Sequence, residues 1–576
     1  MKMGRRTTAV LVVSLAMGCA GQNHAAQTGF RIAGVVVDRL SGQPLAGTNV
    51  LLAPIADRQK AMSVRSGSDG RFFFANLAPG KYSLGAKRRG YTIQGYEEHE
   101  VYATAIAVGE GIDSEHILFR LRPDATIRGT ISDDRNDPAS EVTVRLFSLG
   151  TVNGKTSVRH IMDTMADDRG QYSFAHLRAG TYYVAATGRP WYATAPFYGI
   201  QPRGQAIDPE VKARQVRDAA KLDLVFPLTF YSGALSSEDA TPIRVNNGDN
   251  ATADMVLQPV PSVHIHVPAP PESEPPETGE QESGRSSIGN GFIVRRPTMS
   301  VPPEVRLSRE IFGERVDESG VSTSIFREPD GSWEFGGIAP GHYTLRIDQP
   351  GDDKVPARMQ EVDLSGNLDL SRSDGATLAK VSGTMWLNNA PVERGIVELR
   401  ALGEHRGYGA QVYKGRFEFK QPVPPGSYEI AIIAAASEDV YLGELRATGA
   451  KASGRTLQIA SGAPVTLALF TLQGIGQIDG VAKLKDKPTG GVMILLLPEE
   501  FPKNDRLVRR DQSDSDGTFT LPHVVPGKYR LVAIKDGWDL AWADPKILAP
   551  YFEKAPQYVV QPNQKIKATV EVQEAK

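Results

Sequence analysis

Asp69-Gly70-Arg71-Phe72-Phe73-Phe74-Ala75-Asn76-Leu77-Ala78-Pro79-Gly80-Lys81-Tyr82-Ser83-Leu84 places a glycine turn, an alternating apolar run, a second glycine turn and a tyrosine in one short stretch. Asp-Gly supplies the positive φ of a tight hairpin turn, and the spacing of Phe72 and Phe74 puts one apolar face inward, which predicts a core strand. Pro79-Gly80 makes the next turn, and Tyr82 and Leu84 begin another alternating strand. Tyr82, two places past the glycine, reads as a corner residue with a buried ring and a hydroxyl that reaches the backbone.

The same pattern returns four times. Asp168-Arg169-Gly170-Gln171-Tyr172 leads to Ala179-Gly180-Thr181-Tyr182, and Asp330-Gly331-Ser332-Trp333 leads to Pro340-Gly341-His342-Tyr343. Lys414-Gly415-Arg416-Phe417 leads to Pro425-Gly426-Ser427-Tyr428, and Asp516-Gly517-Thr518-Phe519 leads to Pro526-Gly527-Lys528-Tyr529. The two glycines stand ten residues apart in four copies and eleven in the fourth, so the pattern marks a repeated structural unit. Upstream of four copies lies a matching opening strand: Ile32-Ala33-Gly34-Val35, Ile127-Arg128-Gly129-Thr130, Val381-Ser382-Gly383-Thr384 and Ile478-Asp479-Gly480-Val481. The third unit opens instead on Val263-His264-Ile265-His266-Val267, without the glycine. A proline-marked turn (Pro44, Pro138, Pro391, Pro488) and a second apolar strand such as Val492 to Leu496 lie in between.

Many short strands with frequent turn signals predict an all-β chain, a tandem array of about five antiparallel β-sandwiches. The expected units are 29–122, 123–258, 259–376, 377–474 and 475–576. The second is expected to carry a helical insertion over 206–222, with Asp208 as N-cap and Pro209 in its first turn. The third carries a Pro-, Glu-, Ser- and Gly-rich stretch over 268–290, too poor in apolar residues to fold, read as a disordered insertion.

The chain has 576 residues, too many for one core. Its 65 Lys and Arg balance 67 Asp and Glu, so no chain-wide field recruits nucleic acid or an anionic membrane surface, and a polyanion-binding role is not expected. Residues 1–26 follow the charged, apolar, small-residue order of an export signal, and the chain holds no run long enough for a transmembrane helix. Cys19 is the only cysteine. It stands where a lipoprotein signal over 1–18 would place its acylated residue, although Ala16 sits where that motif prefers Leu. Cys19 is thus a candidate lipid anchor, and the alternative is that it is discarded with the cleaved signal. The expected location is the periplasm, the outer membrane or the cell surface.

Val36-Val37-Asp38 with Ser41-Gly42-Gln43-Pro44-Leu45-Ala46-Gly47, then Asp69-Gly70 and Leu77-Ala78-Pro79-Gly80-Lys81-Tyr82, resembles the carboxypeptidase regulatory-like domain. The chain is also similar to the related Cna protein B-type repeats, transthyretin-like sandwiches often grouped with carbohydrate-binding-like folds and found in secreted bacterial proteins. The resemblance implies that each unit is a seven-stranded antiparallel Ig-like or transthyretin-like β-sandwich, and it leaves the function open.

Catalytic chemistry has no carrier in the sequence. No His begins a His-x-x-Glu or His-Glu-x-x-His metallopeptidase pair, no Gly-x-Ser-x-Gly elbow is present, and no phosphate-binding glycine loop opens a helix. His264 and His266 lack a third ligand and read as two exposed imidazoles on a strand edge, not a metal site. The acidic turns Asp163 to Asp168 and Asp511 to Asp516 lack a closing bidentate Glu and read as ordinary turns, not calcium loops. No catalytic residue, metal or cofactor is therefore expected. Two aromatic clusters remain: Trp191 and Tyr192 with Phe197 and Tyr198, and Trp538 with Trp542. Exposed rings on sandwich loops would grip the faces of sugars, and the competing reading packs them under loops or against the next domain. The expected partner is a polysaccharide or glycoconjugate. The alternatives are a scaffold or adhesion stalk that binds envelope proteins, or an accessory subunit of a separately encoded hydrolase or transporter.

Overall fold

The computed structural model describes residues 29–193, 221–269, 302–318, 324–328, 331–348, 357–370, 375–402, 407–435, 439–460 and 462–576. Cys19 and the export segment lie outside them. So do all but the last two residues of the helix expected over 206–222 and all but the first two of the insertion expected over 268–290.

The chain forms five tandem β-sandwiches. In the first, Phe30–Asp38 lies between Arg71–Leu77, antiparallel to it, and Ile117–Leu121, parallel to it. The facing sheet runs Met62–Arg65, Asn49–Pro54, Gly80–Lys87 and Gln94–Gly95, with Ile106–Val108 also paired to Gly80–Lys87. Ile32, Val36, Phe72, Phe74, Tyr82, Leu84 and Phe119 fill the space between. Each of the other four has its own cluster of buried apolar side chains. In the fourth one ten-stranded sheet, and in the fifth one eight-stranded sheet, wraps around that cluster in place of two separate sheets. The opening strand in every sandwich takes a late strand in parallel, and the other pairings are antiparallel except in the fifth, where Lys565–Glu574 also runs parallel to Gly527–Lys535.

That parallel neighbour explains the opening glycine. A Cβ on Gly34 would stand 2.2 Å from the Ile117 carbonyl oxygen, and one on Gly383 would stand 2.3 Å from that of Leu467. In the third sandwich Val267 occupies the position, paired with Trp333 as Gly34 is with Phe72. Its parallel pairing covers Ile265 and His266 and does not reach Val267, so a side chain is accommodated.

The five turn glycines Gly70, Gly170, Gly331, Gly415 and Gly517 have φ between 71° and 89°. They close a hairpin only in the third and fourth sandwiches, where Ser324–Arg327 pairs Trp333–Ile338 and Tyr413 pairs Arg416. In the first and second the turn carries the chain from one sheet to the other, and in the fifth from one side of its single eight-stranded sheet to the other, because the strand before it pairs with the second apolar strand and the one after it with the opening strand. The second glycine turn makes the return crossing in these three, and its tyrosine fixes the crossing. Tyr82, Tyr182, Tyr343, Tyr428 and Tyr529 are all at most 5% exposed. Each hydroxyl donates to the carbonyl four residues back, at Ala78, Arg178, Ala339, Pro424 and Val525, over 2.7 to 2.9 Å. A buried hydroxyl thus finds its partner within its own turn.

Successive sandwiches touch. Arg178 pairs with Glu98 between the first and second. Phe147 and Phe230 pack with Ile311 and Phe312 between the second and third. The Leu378 amide donates to Ala357 between the third and fourth, and Arg506 pairs with Glu429 between the fourth and fifth. The fifth sandwich also returns to the first. The Ala105 amide donates to the Asp514 carboxylate, the Ala107 amide to the Ser515 hydroxyl and the Ser515 amide to the Ala105 carbonyl, while Lys81 pairs with Asp514. The array therefore closes on itself. No helix among the described residues is long and apolar enough to cross a membrane.

Candidate binding site

Strand Gly180–Gly188 ends at Arg189 and the buried Pro190, and a turn closed by the Ala193 amide on the Pro190 carbonyl, 2.9 Å, carries Trp191 outward. Trp191 is 70% exposed, the most exposed tryptophan among the described residues. Tyr192 braces it edge-on, with ring centroids 5.5 Å apart at 88°, and the Arg135 guanidinium lies 5.1 Å over the Tyr192 ring. Arg135 belongs to the loop after strand Ala125–Asp133, which Asp133 holds in shape by accepting from the Arg135 and Asp137 amides at 2.9 Å each. Burial, partly offset by Arg135 and reinforced by Asp133, Asp134 and Asp137, raises the Tyr192 hydroxyl above the ordinary phenol range. That hydroxyl is enclosed and has no hydrogen-bond partner among the described residues. The site is thus a flat, exposed indole beside a rigid polar loop with the carboxylates of Asp134 and Asp137 facing solvent. Phe197 and Tyr198, expected in the same cluster, lie outside the described residues.

The second aromatic cluster stands in a different setting. Trp538 and Trp542 are 5% and 4% exposed. Trp538 stacks on His99 of the first sandwich, centroids 5.3 Å apart and 4° from parallel, and leans on Tyr102 at 5.4 Å. Trp542 packs so closely on Gly154 of the second sandwich that a Cβ there would stand 2.4 Å from the indole, and Arg510 lies 5.6 Å over its ring. The loop expected to offer these rings to sugar is instead covered by the first two sandwiches, because the fifth folds back onto them. Helix Pro545–Phe552 follows, with Asp544 as its N-cap, and buries Leu548 and Tyr551 against the same layer.

The histidine pair also departs from expectation. Val263–Val267 is an inner strand, between Trp333–Ile338 and Leu368–Asp369, so His264 is 7% exposed and not on an edge. Its Nε2 lies 2.5 Å from Asp223 of the second sandwich and its Nδ1 2.8 Å from Glu334, while His266 lies 3.5 Å from Glu334. The hydrogen bond to Asp223 and the Glu334 carboxylate raise the His264 pKa, with burial opposing. Burial is the largest single influence on the Asp223 carboxyl and would raise it, but the hydrogen bond from His264, the nearby Ser262 hydroxyl and the His264 and Arg189 charges together outweigh it and hold the group below its ordinary range. No group of three or more His, Cys, Asp or Glu side chains among the described residues, His264, His266, Asp223 and Glu334 included, is arranged so that it could hold a metal ion. In the acidic turns, Asp167 accepts from the Arg169 and Gln171 amides, and Asp511 and Asp514 accept from backbone amides.

Residues 31–108 match the family of the carboxypeptidase regulatory-like domain. No curated protein matches the chain. Among solved structures, the chain is similar to the Bacillus anthracis TIE protein, at 8% identity over 96% of this chain and 76% of that one, with a TM-score of 0.16. GBS52, the minor pilin of Streptococcus agalactiae, shares 14% identity over 42% of this chain and 99% of its own, with a TM-score of 0.20. The shaft pilin SpaA of Lactobacillus rhamnosus GG shares 9% over 40% and 98%, with a TM-score of 0.18. Superposition this weak says nothing of what the present chain binds. The first sandwich is thus similar to the carboxypeptidase regulatory-like domain over residues 31–108, and four sandwiches built on the same glycine-turn and tyrosine-corner plan follow it.

Proposed function

We propose that this chain is an exported, non-catalytic protein of the cell envelope that binds polysaccharide or glycoconjugate through the Trp191 platform of its second sandwich. The single observation that supports this most is the 70% exposure of Trp191 next to the ordered Asp133 to Asp137 loop. Sugar recognition needs flat apolar contact with polar groups at its margin, and Trp191, braced by Tyr192 beside that loop, offers both. The non-catalytic part rests on the sequence, which offers no nucleophile, zinc-ligand or phosphate-loop motif. Export, with Cys19 as the residue that would carry a lipid, rests on the N-terminal charged and apolar order.

The burial of Trp538 and Trp542 between sandwiches favours a second reading, in which the closed array serves as a scaffold for other envelope proteins. Intrinsic fluorescence separates the two. Trp333 and Trp386 are half-buried and Trp538 and Trp542 buried, so a glycan that covers Trp191 shifts its emission to the blue, and Trp191→Phe abolishes the shift. A glycan panel that leaves the emission of the intact protein unmoved overturns the polysaccharide reading and leaves the scaffold reading standing.

A further inference from the structure

Asn49 is the cross-strand partner of Arg65 on one side and of Lys87 on the other. The first sandwich thus places a cation on each flank of a neutral amide, on the outer face of one sheet. Neighbouring strands lie about 4.8 Å apart, so the two backbone positions are roughly 10 Å from each other. One step along the same face the flanking residues are Ser63 and Gly85, which leave the surface low. Arg88 and Arg89 continue beyond the end of strand Gly80–Lys87. Arg65, Lys87, Arg88 and Arg89, with Asn49 and Ser63, line a groove of about 730 Å³ that no carboxylate lines. Its volume falls in the range of ligand pockets, roughly 300–1,000 Å³.

None of these four cations pairs with a carboxylate among the described residues, whereas other cations of the same sandwich do. Arg31 lies 3.7 Å from Glu115 and Arg71 3.3 Å from Asp69, and Lys81 pairs with Asp514. Arg88 donates to the Ala46 carbonyl and lies 5.8 Å over the Tyr91 ring. Protection of a sheet edge accounts for Arg65, whose strand Met62–Arg65 is outermost. It does not account for Lys87, two strands further in, or for a concave surface holding four like charges in a chain of net charge −2.

We propose that this groove is a second, independent binding site, for an anionic polysaccharide bearing carboxylate, sulfate or phosphate groups. Guanidinium forks pair such groups in a bidentate manner, and a linear polyanion can lie along a groove whose cations are spaced roughly 10 Å apart. The balanced charge of the whole chain argues against polyanion binding in general, and this groove is a local exception to it. The site lies on a different sandwich from Trp191 and stands or falls apart from that platform.

The test is titration of the signal-free chain with alginate, dextran sulfate, neutral dextran and phosphatidylglycerol vesicles at low and physiological salt. The expected result is binding to alginate or dextran sulfate but not to dextran, weakening with salt. Arg65→Ser/Arg89→Ser, and separately Lys87→Ser, each reduce affinity at least fivefold. Lys485→Ser/Lys546→Ser, which removes exposed cations elsewhere, changes it less than twofold, and Trp191→Ala leaves it intact. Binding to neither polyanion, equal losses in the Lys485/Lys546 control, or binding confined to vesicles would each overturn the proposal. Unchanged thermal unfolding of the variants confirms that a loss is local.

Discussion

Removing the Arg510 charge tests whether the fifth sandwich holds the first. Arg510 donates to both Glu100 oxygens, at 3.0 and 2.9 Å, and to Asn153 at 2.6 Å, and its guanidinium lies 5.1 Å over Tyr102. The two charged side chains are 7% and 12% exposed, so neither has water to fall back on. Arg510→Met keeps the apolar stem and deletes the charge, leaving Glu100 buried and unpaired, a change that costs about 3–5 kcal/mol. The cost falls on the contact, not on the core of either domain, because Arg510 lies on the outer strand Arg509–Gln512. Exchange of the Ala105, Ala107 and Ser515 amides reports the opening of that contact, since each bonds across it. At about 1.4 kcal/mol per tenfold, these amides should exchange roughly two to four decades faster in Arg510→Met. Amides of the inner strand Asn49–Pro54 should be unchanged. Arg510→Met/Glu100→Gln should recover part of the loss, because the uncompensated charge is gone. A change below tenfold, or a double variant that loses the sum of both singles, would refute the closed arrangement.

Other expectations concern single groups. Tyr529→Phe removes the hydroxyl that donates to Val525 and should cost about 0.5–1.5 kcal/mol in the unfolding of the fifth sandwich. Tyr529→Ala, which also empties the ring site, should cost about 3–5 kcal/mol. Gly34→Ala, whose Cβ would meet the Ile117 carbonyl oxygen at 2.2 Å, should destabilise the first sandwich by more than about 2 kcal/mol through a backbone clash, while Val267→Ala, at the matching place in the third, should lose only the burial of two methyls, about 1.6 kcal/mol, with no clash; chemical unfolding of each variant measures both. The raised His264 pKa makes its contribution to the contact between the second and third sandwiches full below the ordinary histidine value of about 6.5. That contribution is lost as pH rises through the higher folded value. Thermal unfolding of the wild type should therefore weaken as pH rises above neutrality, and His264→Gln should flatten that part of the profile.

The repeated turns and tyrosines were legible because their causes are local. A positive φ needs Gly70 whatever lies elsewhere, and Tyr82 bonds to Ala78 in its own turn. The role of Gly34 was not legible, because the neighbour that forbids a side chain there, Ile117, arrives 83 residues later in sequence. The same holds for the crossing between sheets, since an Asp-Gly turn looks alike whether it closes a hairpin or spans two sheets. Sequence reading also missed that Asn76, His176, Gly337 and His523 take positive φ shortly before the second glycine turn, a shared kink visible only as a loose Asn, His or Gly preference. His264 reads as an edge residue until Asp223 is seen beside it. For Trp538 and Trp542 the deciding partners, His99 and Gly154, are hundreds of residues away, so exposure and burial could not be separated from spacing alone. Lys87-Arg88-Arg89 stands in plain view as a basic run, but only the register that sets Arg65 beside Asn49 turns it into a groove.

The most direct test of the polysaccharide reading is affinity electrophoresis of the signal-free chain through gels containing a panel of soluble neutral polysaccharides, beside Trp191→Ala and Trp538→Phe. The account predicts retardation by at least one glycan, lost in Trp191→Ala and kept in Trp538→Phe. Retardation that survives in Trp191→Ala, or none on any glycan, would contradict it.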